Sequence, residues 1–259
     1  MKVIILAAGS GRRLRPYTAN RPKCLVEVSG HKLLTSQLSI LRSKKEISEI
    51  IIVGGYKAEM LSSYADKILV NERYAQTNMA YSLFSAIDDI SGDILISYAD
   101  IVYDVAILEQ LINFEGAIGV AIDNRWREYW SLRFEDPLKD AETLRIDTEG
   151  HIVDIGGRPN NLEEVQGQYM GLIRLNVDGS KLFGSCLSEL YQNLETIDDV
   201  SGNLYLTDLL MKLVSGGQKV SALIHDDDWI EVDSVSDLLL SETKLRLHRM
   251  LSKVTGALN

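Results

Sequence analysis

The sequence predicts an α/β protein built on a mostly parallel, mixed sheet, and three observations carry that prediction. Over the first hundred residues, short β-branched apolar runs alternate with longer stretches of helical period, the pattern of βα units. After Asp100 the texture changes to closely spaced strand-like runs separated by turn residues, which a purely parallel sheet does not produce. The chain has 259 residues, 46% hydrophobic and 25% charged, enough for one sizeable core, so residues 1–259 read as a single domain.

The elements follow in order. "VIILAA" (residues 3–8) is the first strand, and "EIIIVGG" (49–55), "KILVN" (67–71) and "DILISYAD" (93–100) are the next three. Between them Leu34, Leu38 and Leu41 share one helix face, and so do Ala80, Leu83, Phe84 and Ile87; both stripes read as core. "VAILEQLINF" then reads as a helix and "AIGVAID" as a strand, followed by a polar, tryptophan-bearing segment from Asn124 to Asp140. "AETLRID" and "HIVDIG" are strands around the tight turn "DTEGH", and "QYMGLIRL" is a further strand. Helical patterns occupy 179–194 and 205–214, the second stopped by Ser-Gly-Gly. "KVSALI" and "WIEVD" read as a strand pair, and one helix over 234–253 closes the pattern. Its Lys244, Arg246, Arg249 and Lys253 among Leu245, Leu247 and Leu251 favour packing on the same domain or on a partner subunit over a membrane surface.

Charge and cysteine content narrow the function. With 37 acids against 27 bases the formal net charge is -10, which argues against a nucleic-acid partner. Cys24 and Cys186 are too few for a disulfide framework and have no metal-ligand spacing, which suits a reducing cytoplasm. No signal peptide or run long enough to span a bilayer is expected, and a homo-oligomer is left open.

Against this acidic background stands a compact basic stretch, "LAAGSGRRLRPYTANRPKCLVEV" (residues 6–28). Glycines directly after a first strand let the backbone approach an anion. Leu14 stands where a dinucleotide fingerprint needs its third glycine, and no Gly-Lys-Ser or Gly-Lys-Thr closes a P-loop. What remains is Gly-x-Gly-x-Arg-Leu-x-Pro from Gly9, then Pro22-Lys23. Arg13 suits bidentate phosphate binding and Lys23 a point charge, whereas Arg12, Arg15 and Arg21 read equally well as solvent-exposed.

Two strands end in acids. Asp100 lies at the carboxyl edge of the sheet, where open α/β folds bind ligands. Glu231 and Asp233 end "WIEVD" on one face. A triphosphate substrate implies Mg²⁺, which takes carboxylate oxygens. Since Asp100 and Asp233 both precede helical patterns, each is also placed to be a helix N-cap or turn residue. Trp126 and Trp130, set in polar surroundings, suit cation-π contact with an ammonium, and Arg133 offers a fork for an acid; the other reading has the indoles capping the core.

These residues resemble the nucleotidyltransferases that join a nucleoside triphosphate to a phosphorylated small molecule. "NERYAQTNMAYSL", "ISYADIVY", "WREYWSLRFEDPLKDAETLR" and "QYMGL" narrow the likeness to a cytidylyltransferase subgroup acting on small phosphorylated or phosphonylated amines, such as phosphoglutamine, phosphocholine and 2-aminoethylphosphonate. The resemblance covers essentially the whole chain. It implies a Rossmann-like three-layer sandwich with a small antiparallel acceptor-binding element, a nucleotide-binding half over about residues 1–104 and an acceptor-binding part over about 105–259. It also implies a role in capsule or surface polysaccharide biosynthesis.

By the same resemblance, the Gly9 to Gly11 turn, Arg13 and Lys23 hold the triphosphate, and Asp100 and Asp233 hold Mg²⁺. The nucleobase, cytosine by likeness alone, lies between Leu6, Ala7, Ala8 and Gly9 and the loops bearing Gly55 and Asn78. Asn78 is equally placed as a helix N-cap. The acceptor falls to Trp126, Trp130, Arg133, Tyr169 and Glu231. The rival functions are a sugar-1-phosphate nucleotidyltransferase and an inactive nucleotide-binding regulatory subunit; the charged residues Arg13, Lys23, Asp100 and Asp233 argue against the second.

Overall fold

The computed structural model of the protein describes residues 1–191 and 202–256. The strands are β1 (Lys2–Ala7), β2 (Glu27–Val28), β3 (His31–Lys32), β4 (Glu49–Gly54), β5 (Lys67–Val70), β6 (Ile94–Tyr98) and β7 (Ile101–Tyr103). β8 (Ile118–Asp123), β9 (Leu144–Ile146), β10 (Ile152–Ile155), β11 (Gln168–Leu175), β12 (Ser221–His225) and β13 (Trp229–Glu231) follow. The main sheet has the order β12-β8-β11-β6-β1-β4-β5. β1 pairs in parallel with both β4 and β6, and β12 in parallel with β8, whereas β11 runs antiparallel between β6 and β8. The sheet is therefore mixed, with one reversed strand at its centre.

Apolar residues on both faces of β1 explain the three layers. Val3 and Ile5 face one core with helix α1 (Leu33–Arg42) and helix α3 (Val105–Asn113); Ile4 and Leu6 face a second core with helix α2 (Met79–Phe84) and helix α5 (Val177–Tyr191). The predicted stripes Leu34, Leu38, Leu41 and Ala80, Leu83 are buried in these cores. The hairpin around "DTEGH" forms as β9 and β10, closed by Asp147, whose Oδ1 accepts from Glu149 N and His151 N. Among the described residues, no helix is long and apolar enough to cross a membrane.

Two expectations need correction, and two segments are further specified. The strands at 219–224 and 229–233 do not pair with each other: β12 joins the edge of the main sheet at β8, and β13 pairs antiparallel with β7. The terminal helix is two helices, Val235–Leu239 and Ser241–Gly256, because Leu240 turns to extended geometry between them. The polar segment after Asn124 is largely helical, with helix α4 at Trp126–Arg133. The helix expected over 179–194 runs as α5 to Tyr191, and its last residues lie outside those described.

The break between β6 and β7 carries Asp100, and Gln37 of α1 holds it from behind. The Gln37 side chain is fully buried, and its Nε2 donates to Ser97 Oγ at 3.0 Å, Tyr98 O at 2.8 Å and Ile101 O at 3.1 Å. Gln37→Leu removes the donor for a buried hydroxyl and two buried carbonyls, and should cost about 2–4 kcal/mol. Urea unfolding checks this: the midpoint should fall at unchanged m value, and an unmoved midpoint would show that Gln37 does not hold the break.

Candidate active site

The turn after β1 needs glycine at one position above all. Gly11 has φ 58, and a Cβ there would stand 2.9 Å from Thr18 Cγ2 and 3.0 Å from Lys23 Cβ. Thr18 Oγ1 donates to Gly11 O at 2.7 Å, so the basic loop folds back on the turn and brings Lys23 beside it. Turn and loop form one end of a cavity of about 720 Å³ at the carboxyl edge of the sheet.

Three distant segments meet there. The β7–β13 ladder sets Ile101 opposite Glu231, and Val232 N donates to Asp100 O at 3.1 Å, which brings Asp233 alongside Asp100. Lys23 Nζ lies between their carboxylates, 2.5 Å from Asp100 Oδ2 and hydrogen-bonded to Asp233 Oδ1. Burial alone would lower the lysine pKa, but the two carboxylates override it and hold Lys23 well above its ordinary range. Asp233 moves the other way: burial would raise it, yet Lys23, Arg13 and Arg133 hold its carboxyl below the usual value. Arg13, largely exposed, reaches Asp233 at 3.3 Å. Neither aspartate caps a helix. The caps next to them are Asp104, which accepts from Ala106 N, and Ser234, which makes a capping box with Asp237.

Behind this cluster lies a buried ionic layer. The fully buried Arg133 side chain donates to Glu231 Oε2 at 2.7 Å and to Asp237 Oδ1 at 2.9 Å, and lies 4.0 Å from Asp233. The other Asp237 oxygen, Oδ2, accepts from Asp233 N, Ser234 N and Ser234 Oγ, which fixes the backbone that carries Asp233. Burial and the Asp233 carboxylate push Glu231 up to about 8, against the pull of Arg133. Arg133 stacks on Tyr129, Trp130 and Phe134, and Trp229 packs on Tyr129 and Trp130.

The structure brings most of the expected residues to the cavity. Leu6, Ala7, Ala8, Gly9, Gly11, Arg13, Lys23, Asn78, Asp100, Trp130, Tyr169, Glu231 and Asp233 all line it. Asn78 also accepts from Met79 N at 3.0 Å as the cap of α2. Three residues differ from expectation. Gly55 packs under Tyr74 and against Ala8 O, supporting the wall without lining it. Trp126 is 1% exposed and belongs to the aromatic core, so core packing is its role. Arg133 does not line the cavity: its Nε and Nη1 donate to Asp237 and Glu231, and its buried Nη2 has no hydrogen-bond partner among the described residues.

Sequence reasoning missed five further lining residues: Tyr98, Asp140, Glu142, Gln168 and Thr207. Glu142 had one signal, an acid inside a strand-like run; Asp237 had another, the capping-box spacing of "SVSD". Burial, with Asp208 and Asp140 nearby, raises the Glu142 carboxyl to about 7.

The donor set fits a divalent cation. Two carboxylates converge on one positive centre, now the Lys23 ammonium, and the buried Asp100 Oδ1 has no hydrogen-bond partner among the described residues.

Comparison with known proteins bears on the family and the fold. The chain is 36% identical over 256 residues to the CTP:phosphoglutamine cytidylyltransferase of Campylobacter jejuni, covering 92% of this chain and 98% of that one. Among solved structures, the CTP:phosphocholine cytidylyltransferase of Streptococcus pneumoniae superposes with a TM-score of 0.72 at 24% identity, over 94% of this chain and 98% of that one. The inositol-1-phosphate CTP transferase of T. maritima also gives 0.72, at 21% identity over 96% of this chain and 95% of that one. Those two likenesses establish the shared fold. Residues 3–151 match the MobA-like NTP transferase domain, more than half of the chain, and the protein belongs to that family of nucleotidyltransferases.

Proposed function

We propose that the protein transfers CMP from CTP to a small phosphorylated amine or amino acid of the phosphoglutamine type, releasing pyrophosphate. The observation that carries the reaction type is the meeting of Lys23, Asp100 and Asp233 beside the Gly9 to Gly11 turn, a concentration of groups suited to a triphosphate. The choice of CTP and of the acceptor class rests on the likeness to the Campylobacter jejuni enzyme over nearly all of both chains. The two buried, unpaired cysteines suit a reaction in a reducing cytoplasm.

The acceptor's phosphoryl oxygen attacks the α-phosphorus of CTP in line. A new P–O bond forms as the bond to the β-phosphate oxygen breaks, and pyrophosphate leaves with the electron pair. The attacking oxygen is already anionic near neutral pH, so no side chain has to remove a proton. The glycine turn and Arg13 orient the triphosphate, and Lys23, on its flexible stem, neutralises charge on the departing oxygens. Asp100 and Asp233 would hold Mg²⁺, which would supply polarisation of the phosphoryl oxygens. Arg133 and Asp237 position Asp233 from behind without touching substrate.

A pyrophosphate-release assay tests the reaction by crossing CTP, UTP, dTTP, ATP and GTP against phosphoglutamine, phosphocholine, 2-aminoethylphosphonate and glucose 1-phosphate. Release is expected with CTP and phosphoglutamine; release with glucose 1-phosphate alone would overturn the acceptor assignment. In the same assay, Lys23→Ala and Asp100→Asn should each lower kcat by about 10²–10³-fold. Circular dichroism should show the fold retained, and unchanged turnover in both variants would refute the roles given to these residues.

A further inference from the structure

We propose that Glu142 recognises a cationic amine on the acceptor, so that the cavity selects phosphorylated acceptors carrying an ammonium group over those that lack one. This deepens the cytidylyltransferase reading above and rests on it.

Glu142 is held for such a role by its own backbone. Its N–H donates to Gln168 Oε1 at 3.2 Å and its carbonyl accepts from Gln168 Nε2 at 2.8 Å, a two-way clamp to β11. Gln168 is itself buried and lines the same cavity. The clamp fixes Glu142 on the cavity wall.

The charges around Glu142 are unbalanced. Asp140 stands in the same loop and Asp208 on the helix Leu206–Ser215, while the Tyr98 and Tyr169 hydroxyls approach from β6 and β11. Among the described residues, Glu142 makes no ion pair with a lysine, arginine or histidine. A half-buried carboxylate with only acids as charged neighbours gains from a cation, and no described cation of this chain supplies one. Burial and those neighbours push the carboxyl up to about 7, so it is partly ionised at neutral pH and strengthens as an anion when a cation arrives.

Two further features point to a ligand with both charges. Tyr98 and Tyr169 meet edge to face at 5.7 Å and both line the cavity, aromatic surface that attracts an ammonium. Trp130 is 3% exposed and lines the same cavity, and its Nε1–H has no acceptor among the described residues. An unmet buried donor suits an anionic oxygen, so a small molecule with an ammonium and an acid group satisfies both.

The test compares wild type and Glu142→Gln with CTP and two acceptors, phosphoglutamine and its analogue without the α-amino group. Wild type should favour the amine-bearing acceptor by at least about tenfold in kcat/KM, and Glu142→Gln should lose that preference through KM of the acceptor while KM for CTP stays unchanged. The ratio of the two kcat/KM values cancels titration of the acceptor phosphate. In wild type it should rise as pH increases through about 7, where Glu142 ionises, and in the variant it should be flat. A variant that keeps the preference, or a wild-type ratio that does not change with pH, overturns the inference alone. No pyrophosphate from wild type with either acceptor overturns the cytidylyltransferase reading and this inference with it.

Discussion

The Lys23 ammonium between the Asp100 and Asp233 carboxylates is the interaction around which the rest of the structure is arranged. The three residues come from the loop after β1, the end of β6 and the end of β13, so almost the whole chain must fold before they meet. Two largely buried carboxylates side by side repel one another, and a cation between them turns a costly pair into a stable cluster. The cluster therefore links the first strand to the last without an apolar contact. It also holds a positive charge in the cavity wall between two acids.

The surrounding layers keep that cluster in place. Asp237 fixes the Asp233 backbone, Arg133 pairs with Asp237 and Glu231, and the rings of Tyr129, Trp130 and Phe134 stack on the guanidinium, with Trp229 packed behind Tyr129 and Trp130. Trp229 in turn donates to Asp123 at 2.8 Å, and Arg246 of the last helix stacks on Tyr129 at 4.4 Å. The basic terminal helix is thus committed to its own domain, where Arg246 and Arg249 both engage Asp228. An arginine enclosed by aromatic rings and carboxylates is rigid, and rigidity is what a positioning layer needs.

What was legible in the sequence was local. The glycine turn, the central strands and the acids at strand ends announce themselves because each rests on short-range pattern and backbone sterics. Trp126 and Arg133 were misread because indoles and a guanidinium in a polar stretch look like surface residues. The partners that Arg133 meets in the interior, Glu231 and Asp237, lie 98 and 104 residues away. The pairing of β13 with β7 rather than β12 has the same cause: two short apolar runs divided by Asp226, Asp227 and Asp228 give no sign of which distant strand each will join. Glu142 stayed hidden because its significance lies in an absent counter-ion, a property of the folded neighbourhood and not of the residue.

The charge layout of the cavity resolves the apparent conflict between a net charge of -10 and an anionic substrate. Long-range attraction is not available to such a protein, but at physiological ionic strength charges are screened beyond about 8 Å, so the distant acids weigh little at the turn. What a triphosphate meets at close range is Arg12, Arg13 and Lys23 beside the glycine backbone, all lining one end of the cavity. Asp140 and Glu142 line the same cavity, Asp140 within electrostatic reach of Arg13 and Asp233, and Glu142 with only Asp208 and Asp140 as charged neighbours. Glu142, with acids alone as charged neighbours, would repel a nucleotide phosphate and favour a ligand of opposite sign. Charge on the lining, and not the net charge of the chain, then decides what binds where, and the acidic surface outside adds solubility without disturbing it.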